Sequence, residues 1–131
     1  MRALITILLF SFSLLFSDNF YVATTGSDDN VPCTQSDPCE HIQTAINLTG
    51  DGDSVIVYGG TYQENLLIET GITLIKRAVD TDPVIIDGSS PETDPNLWNG
   101  GSCIVIRTPS GASSRVTATV QDITMTGGKG T

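Results

Sequence analysis

Apolar and polar positions alternate in short blocks along most of the chain. β-branched runs fall at 55–57, 66–68, 72–75, 84–86, 104–106, 116–120 and 123–125. Turn signals separate them: Gly59-Gly60, Thr70-Gly71, Asp87-Gly88, Pro109-Ser110-Gly111 and Gly127-Gly128. Short Val/Ile/Thr-rich runs bounded by Gly, Pro and Asp predict strands. Phe20-Tyr21-Val22-Ala23 predicts an opening strand, and residues 24–39, rich in Gly, Ser, Asp and Pro, predict a loop. The one helical pattern is Ile42, Ala45, Ile46 and Leu48, stopped by Gly50.

The intervals between runs carry information beyond the runs themselves. Val55 to Ile72, Ile86 to Ile104 and Ile104 to Ile123 are separated by 17, 18 and 19 residues. That regularity predicts an all-β solenoid whose coils stack on one another. Alternate side chains of each strand are then expected to stack inward in columns. A seven-strand sandwich is the rival, and turn spacing of about 8–12 residues is its mark.

The N-terminus follows another rule. Met1-Arg2 precede an almost continuous apolar run, ALITILLFSFSLL, which gives way to Ser17 and Asp18. A charged start, an apolar stretch and a small residue predict a secretory signal peptide over residues 1–17. The rival, a membrane anchor, needs about 20 apolar residues, and this run is shorter. After its removal no segment is long enough to span a membrane. Residues 18–131 then form one domain, within the size of an ordinary single core.

Charge narrows the partners. Fifteen acids against six Lys and Arg give a formal net charge of -9. No Lys or Arg lies between Ala3 and Ile75. A surface of this kind cannot neutralise phosphates, so nucleic acid is excluded as a partner. Carboxylates in such number raise Ca²⁺ as a cofactor. No D-x-[DN]-x-[DN]-G loop occurs, so turn-forming Asp residues are the preferred reading, with neither cofactor nor metal site expected.

Three cysteines are present. Cys33 and Cys39 bracket CTQSDPC, a spacing that closes a small disulfide loop in an oxidising compartment. Cys103 sits in the apolar run Cys103-Ile104-Val105-Ile106 and reads as a small buried hydrophobe, or as a thiol with a partner elsewhere. The single His and the lack of C-x-x-C speak against zinc. Asn47-Leu48-Thr49 is an N-glycosylation sequon at the end of the expected helix.

Several segments, in order, carry a family likeness. They are Tyr21-Val22-Ala23-Thr24-Thr25-Gly26-Ser27-Asp28, His41-Ile42-Gln43-Thr44-Ala45-Ile46, Gly52-Asp53-Ser54-Val55-Ile56-Val57, Gly60-Thr61-Tyr62-Gln63-Glu64 and Ile72-Thr73-Leu74-Ile75. Val84-Ile85-Ile86-Asp87-Gly88 and Asp122-Ile123-Thr124-Met125-Thr126-Gly127-Gly128 continue the series. Together they resemble the N-terminal part of right-handed parallel β-helix proteins of the pectin-lyase-like superfamily. The resemblance implies an all-β, right-handed parallel β-helix (solenoid) with a short N-terminal capping α-helix. It makes residues 18–131 the cap and first coils, with further coils expected beyond Thr131. Physically, the helix would cover the open end of the coil. Gly52 and Asp53 would turn the chain into it, Gly60 would make a tight corner under Tyr62, and Glu64 would bond turn backbone groups.

Catalytic signatures are sparse. The superfamily includes pectate lyases, polygalacturonases and pectinesterases, besides surface proteins. The resemblance to their N-T-D, G-H-G and D-F motifs stops short here, for none is present. Gln121-Asp122 is similar to the Q-D-T of pectinesterases, which makes Asp122 the one catalytic candidate. Trp98 on a polar insert could stack on a sugar, and Arg107 and Arg115 could grip an anionic one. The expectation is a secreted, non-catalytic extracellular or cell-surface module that binds polysaccharide or adheres. Its end coil offers an edge for self-association. The alternative is the front of a polysaccharide lyase or pectinesterase-like enzyme whose catalytic coils lie beyond this chain.

Overall fold

Period-two burial shows how the predicted runs fold. In the strand Ser54–Val57, Val55 and Val57 are fully buried while Ser54 and Ile56 are half-buried. Leu66–Ile68 and Val84–Asp87 alternate in the same way, as side chains of a pleated strand must. The structure is a computed structural model, and it describes residues 16–89 and 102–128.

The elements in order are β1 (Asn19–Val22), α1 (Ile42–Ile46), β2 (Ser54–Val57), β3 (Gly60–Tyr62), β4 (Leu66–Ile68), β5 (Thr73–Lys76), β6 (Val84–Asp87), β7 (Ile104–Ile106), β8 (Thr119–Gln121) and β9 (Ile123–Thr126). They form three sheets, ordered β1-β2-β5-β8, β3-β6-β9 and β4-β7. Every strand pairing is parallel. Successive strands β2, β3 and β4 visit the three sheets in turn, and β5, β6 and β7 repeat the round one layer on. This excludes the antiparallel sandwich, because neighbours in a sheet here are never joined by a hairpin.

The register stacks like on like. Phe20, Val55, Leu74 and Val120 stand opposite one another in the first sheet, and Tyr62, Ile86 and Met125 in the second. Leu66 faces Ile104 in the third. These columns make one core with Ile42, Ala45 and Ile46 of α1. Ile42, Leu66, Ile68, Leu74 and Ile86 are its largest fully buried side chains. Each stabilises the fold by about 1.5–3 kcal/mol relative to exposure. The columns thin toward β9, where Met125 is 54% exposed.

The regular spacing expected along the whole chain holds for one round only. Ser54 lies opposite Thr73, within the expected interval, but Thr73 next meets Thr119. Ile104 neighbours Leu66, not Ile86 or Ile123, so those later intervals compare strands of different sheets. The reason is the uneven length of chain between strands: 7 residues separate β5 from β6, 16 separate β6 from β7 and 12 separate β7 from β8. Three boundaries also differ. Gly60–Tyr62, read as a corner, is a strand because it pairs with β6. The run at 116–120 yields only β8. The helix stops at Ile46, where Leu48 N and Thr49 N bond back three residues, to Ala45 O and Ile46 O, and tighten the last turn.

Two sheet edges near α1 are covered. On β1, Tyr21 N donates to Cys33 O at 2.8 Å, Cys39 N donates to Tyr21 O at 3.0 Å, and Ala23 N donates to Cys39 O at 2.9 Å. The Cys33–Cys39 disulfide, expected from spacing, holds this loop with its Cα atoms 4.9 Å apart and both residues fully buried. On β4, Gln43 takes the place of a strand. Its Oε1 accepts from Leu67 N at 2.8 Å and its Nε2 donates to Leu67 O at 3.1 Å. Among the described residues no helix is long and apolar enough to cross a membrane.

Candidate functional site

The segment from β3 to β4 meets the start of α1, and a cleft opens there. Glu64 begins the arrangement. Its Oε2 accepts from Ile42 N at 2.9 Å and its Oε1 from Gln43 N at 3.0 Å. These N–H groups have no intrahelical partner, and α1 carries no side-chain cap at His41. Glu64 therefore supplies from another part of the chain what a local cap normally gives. It is buried, and burial pushes its carboxyl above the usual range, with the two backbone bonds opposing part of the rise.

His41 precedes the helix and leans on the loop before it. Its Nδ1 lies 2.6 Å from Asp28 Oδ2. Asp28 Oδ1 accepts from Glu40 N at 3.1 Å and from His41 N at 3.0 Å, so one carboxylate closes the loop from 28 to 41. Burial disfavours the charged form of both side chains. The mutual bond and charges outweigh it, lowering Asp28 and, with Glu64 and Glu40 adding to the effect, raising His41.

Tyr62 forms the apolar wall. It is buried, and its Oη donates to Tyr58 O at 2.9 Å. Burial, and then the charge of Glu64, push its hydroxyl well above the usual range. The cleft encloses about 520 Å³ and is lined by Thr24, Glu40, His41, Thr61, Gln63 and Glu64 beside Tyr62. It offers hydroxyl, amide, imidazole and carboxylate groups at one mouth. That set makes hydrogen bonds to a polyhydroxylated ligand. Its carboxylates, Glu40 and Glu64, disfavour a polyanion.

The candidates from the sequence lie elsewhere. Arg107, on the strand exit of β7, pairs with Glu69 at 2.7 Å through Nη2 and bonds the same oxygen through Nε. Arg115 lines a hollow of about 370 Å³ with Asp51, Glu69, Thr70 and Thr117. Asp122 sits at the corner between β8 and β9 with φ 55, a left-handed conformation that Asp tolerates better than most residues. Trp98 lies outside the described residues, as does residue 1 to residue 15 of the expected signal. Arg107 thus pairs with Glu69, Arg115 lines a hollow that Glu69 also lines, and Asp122 is not among the residues of the His41 cleft.

Other readings find their geometry. Asp53 Oδ1 accepts from Asp18 N and Oδ2 from Gly50 N, each at 2.8 Å, which fixes the turn into β2. Glu64 bonds backbone groups of α1 rather than of a turn. Cys103 is buried and free, and its Sγ donates to Thr126 O at 3.0 Å. Among the described residues no group of three or more His, Cys, Asp or Glu could hold a metal ion.

Sequence reasoning missed Asp28 with His41, Gln43 and Asn65. Asn65 Nδ2 donates to Gly88 O at 3.1 Å and to Ser102 O at 2.8 Å, while its buried Oδ1 has no partner among the described residues. The available signal was polarity at apolar-neighbour positions, such as Gln43 between Ile42 and Ala45.

No family model matches the chain, and no curated protein matches it. Among solved structures it is similar to one described as the complex structure of XylC with xylose. The two are 30% identical over 53% of this chain and 12% of that one, with a TM-score of 0.45. The matched part is a small share of that protein's length.

Proposed function

We propose that the chain is a secreted, non-catalytic glycan-binding module. In this reading residues 1–17 are a signal peptide, the three parallel sheets wind as a right-handed β-helix, and α1 caps its first coil. The ligand is a neutral, polyhydroxylated glycan held in the His41 cleft, and the chain acts outside the cell or at its surface. The disulfide fits an oxidising compartment. The net charge of -9 and the carboxylates of the cleft disfavour pectate and other polyanions.

One observation carries the non-catalytic part. Both oxygens of Glu64, the most buried carboxylate of the cleft, are engaged by helix N–H groups. A general acid must present its proton to the leaving group. Glu64 is turned to the fold instead. Binding then falls to His41, Gln63, Thr24 and Thr61.

The test is titration of the full chain with neutral oligosaccharides (xylan, glucan and mannan fragments) and with polygalacturonate. Saturable binding of a neutral fragment, weakened by His41→Ala, is the expected result. Absence of binding to every neutral fragment overturns the ligand class. Release of reducing ends or unsaturated products from any of them, with or without Ca²⁺, overturns the non-catalytic reading and favours the front portion of a polysaccharide-active enzyme.

A further inference from the structure

Asn47, the first residue of the sequon, is exposed at the end of α1. Its carboxamide is oriented: Gln43 Nε2 donates to Asn47 Oδ1 at 2.9 Å. Among the described residues Asn47 Nδ2 has no hydrogen-bond partner. Asn47 forms one rim of a hollow of about 190 Å³, whose other walls are Gln43, Ile46, Thr49, Leu67, Glu69 and Thr70. Pockets that hold a free small molecule start at about 300 Å³. This hollow is smaller, so a diffusing ligand would bury too little surface to offset its lost freedom. A group tethered at the rim loses far less on seating, because its effective concentration there is set by the tether. The walls also suit one sugar ring: Ile46 and Leu67 are apolar, while Thr49, Thr70 and Glu69 offer hydroxyl and carboxylate groups.

We propose that Asn47 is an N-glycosylation site and that the first sugar of its glycan seats in this hollow, over the edge of β4. In the transfer, Asn47 Nδ2 bonds to the anomeric carbon of an oligosaccharide carried on a lipid diphosphate. The carbon–oxygen bond to the diphosphate breaks, the lipid diphosphate leaves with the electron pair, and Nδ2 gives its proton to the transferase.

The fold also sets the order of events. Thr49 Oγ1 donates to Ile46 O at 2.6 Å and lies 3.2 Å from Thr70 Oγ1. Asn47 N, Leu48 N and Thr49 N donate to Gln43 O, Ala45 O and Ile46 O. The tripeptide is locked in a turn with its hydroxyl engaged, so a transferase reaches it faster before α1 forms than after. In a cell this requires the secretory route proposed above; with purified chain it does not.

The experiment presents the full chain, once folded and once unfolded and reduced, to an oligosaccharyl transferase with its lipid-linked donor. The product is then refolded. Mass spectrometry should find the glycan on Asn47 of the unfolded chain and none on Asn47→Gln. Transfer to the folded chain should be roughly tenfold slower, since it waits on local opening. In the refolded glycoprotein the amides of residues 67–70 should exchange more slowly than in the unmodified chain. No transfer to the unfolded chain overturns the site. Equal transfer to both forms overturns the order, and unchanged exchange or failure to refold overturns the seat. Glycan binding at the His41 cleft, titrated on the same unmodified chain, is a separate readout.

Discussion

Gln43 hydrogen-bonds both backbone groups of Leu67, accepting from its N–H at 2.8 Å and donating to its carbonyl at 3.1 Å. A side-chain amide thus occupies the edge of β4 where a neighbouring strand would pair. Unpaired strand edges invite association with another chain. Gln43→Ala should cost about 1–2 kcal/mol, the net worth of two neutral hydrogen bonds. Urea unfolding measures that loss. Sedimentation of the variant should show concentration-dependent association that the parent lacks. Gln43→Glu keeps the acceptor but loses the donor, so it should fall between the two.

Glu64 is predicted to matter through its geometry more than its charge. Glu64→Gln keeps the size but sets an NH₂ group against a helix N–H. One backbone donor is then buried without a partner, a loss of about 1–3 kcal/mol. The denaturant midpoint should drop accordingly. An unchanged midpoint would mean that charge burial in Glu64 cancels the bond it makes.

Stability should peak on the acidic side of neutrality. Asp28 is lowered from 3.8, so its contribution is present above that value and is lost as pH falls through the folded pKa. His41 is raised from 6.5, so its contribution is present below 6.5 and is lost as pH rises through the folded pKa. Glu64, raised by burial, adds a loss as pH rises through its own folded value. Stability therefore peaks just above pH 3.8, where Asp28 becomes charged, declines as pH rises past 4.5 through the Glu64 range, and declines again above pH 6.5 as His41 loses its proton. Thermal unfolding at pH 5.5 and pH 8 should show a lower Tm at pH 8. His41→Gln should remove the decline above pH 6.5 and weaken the acid limb, which then rests on the backbone N–H bonds to Asp28. Both partners are substantially exposed, so the effect is small.

The disulfide should be worth about 2 kcal/mol, as expected for closing so short a loop. Cys33→Ala with Cys39→Ala should lower Tm, and reduction of the parent should lower it to a similar extent. The loss should be seen first as faster amide exchange at Tyr21 and Ala23, whose β1 edge the loop covers. Exchange confined to β8 and β9 instead would place the weak point at the other end.

The sequence by itself determined where strands and turns fall, because alternation and turn chemistry are local: Val55 and Val57 bury, Ser54 does not, and Asp87-Gly88 turns. It also determined the cysteine pair, since six positions around a Pro leave little choice of partner. Its evenly spaced rounds were right from Ser54 to Thr73 and wrong beyond, because apolar runs carry no label of the sheet they join. Tertiary structure alone decided that Ile104 meets Leu66, that Glu64 caps a helix 22 residues before it, and that Asp28 meets His41. Those are contacts between groups far apart in the chain. Their partners depend on how long each corner is, and corner length leaves no trace in hydrophobic periodicity.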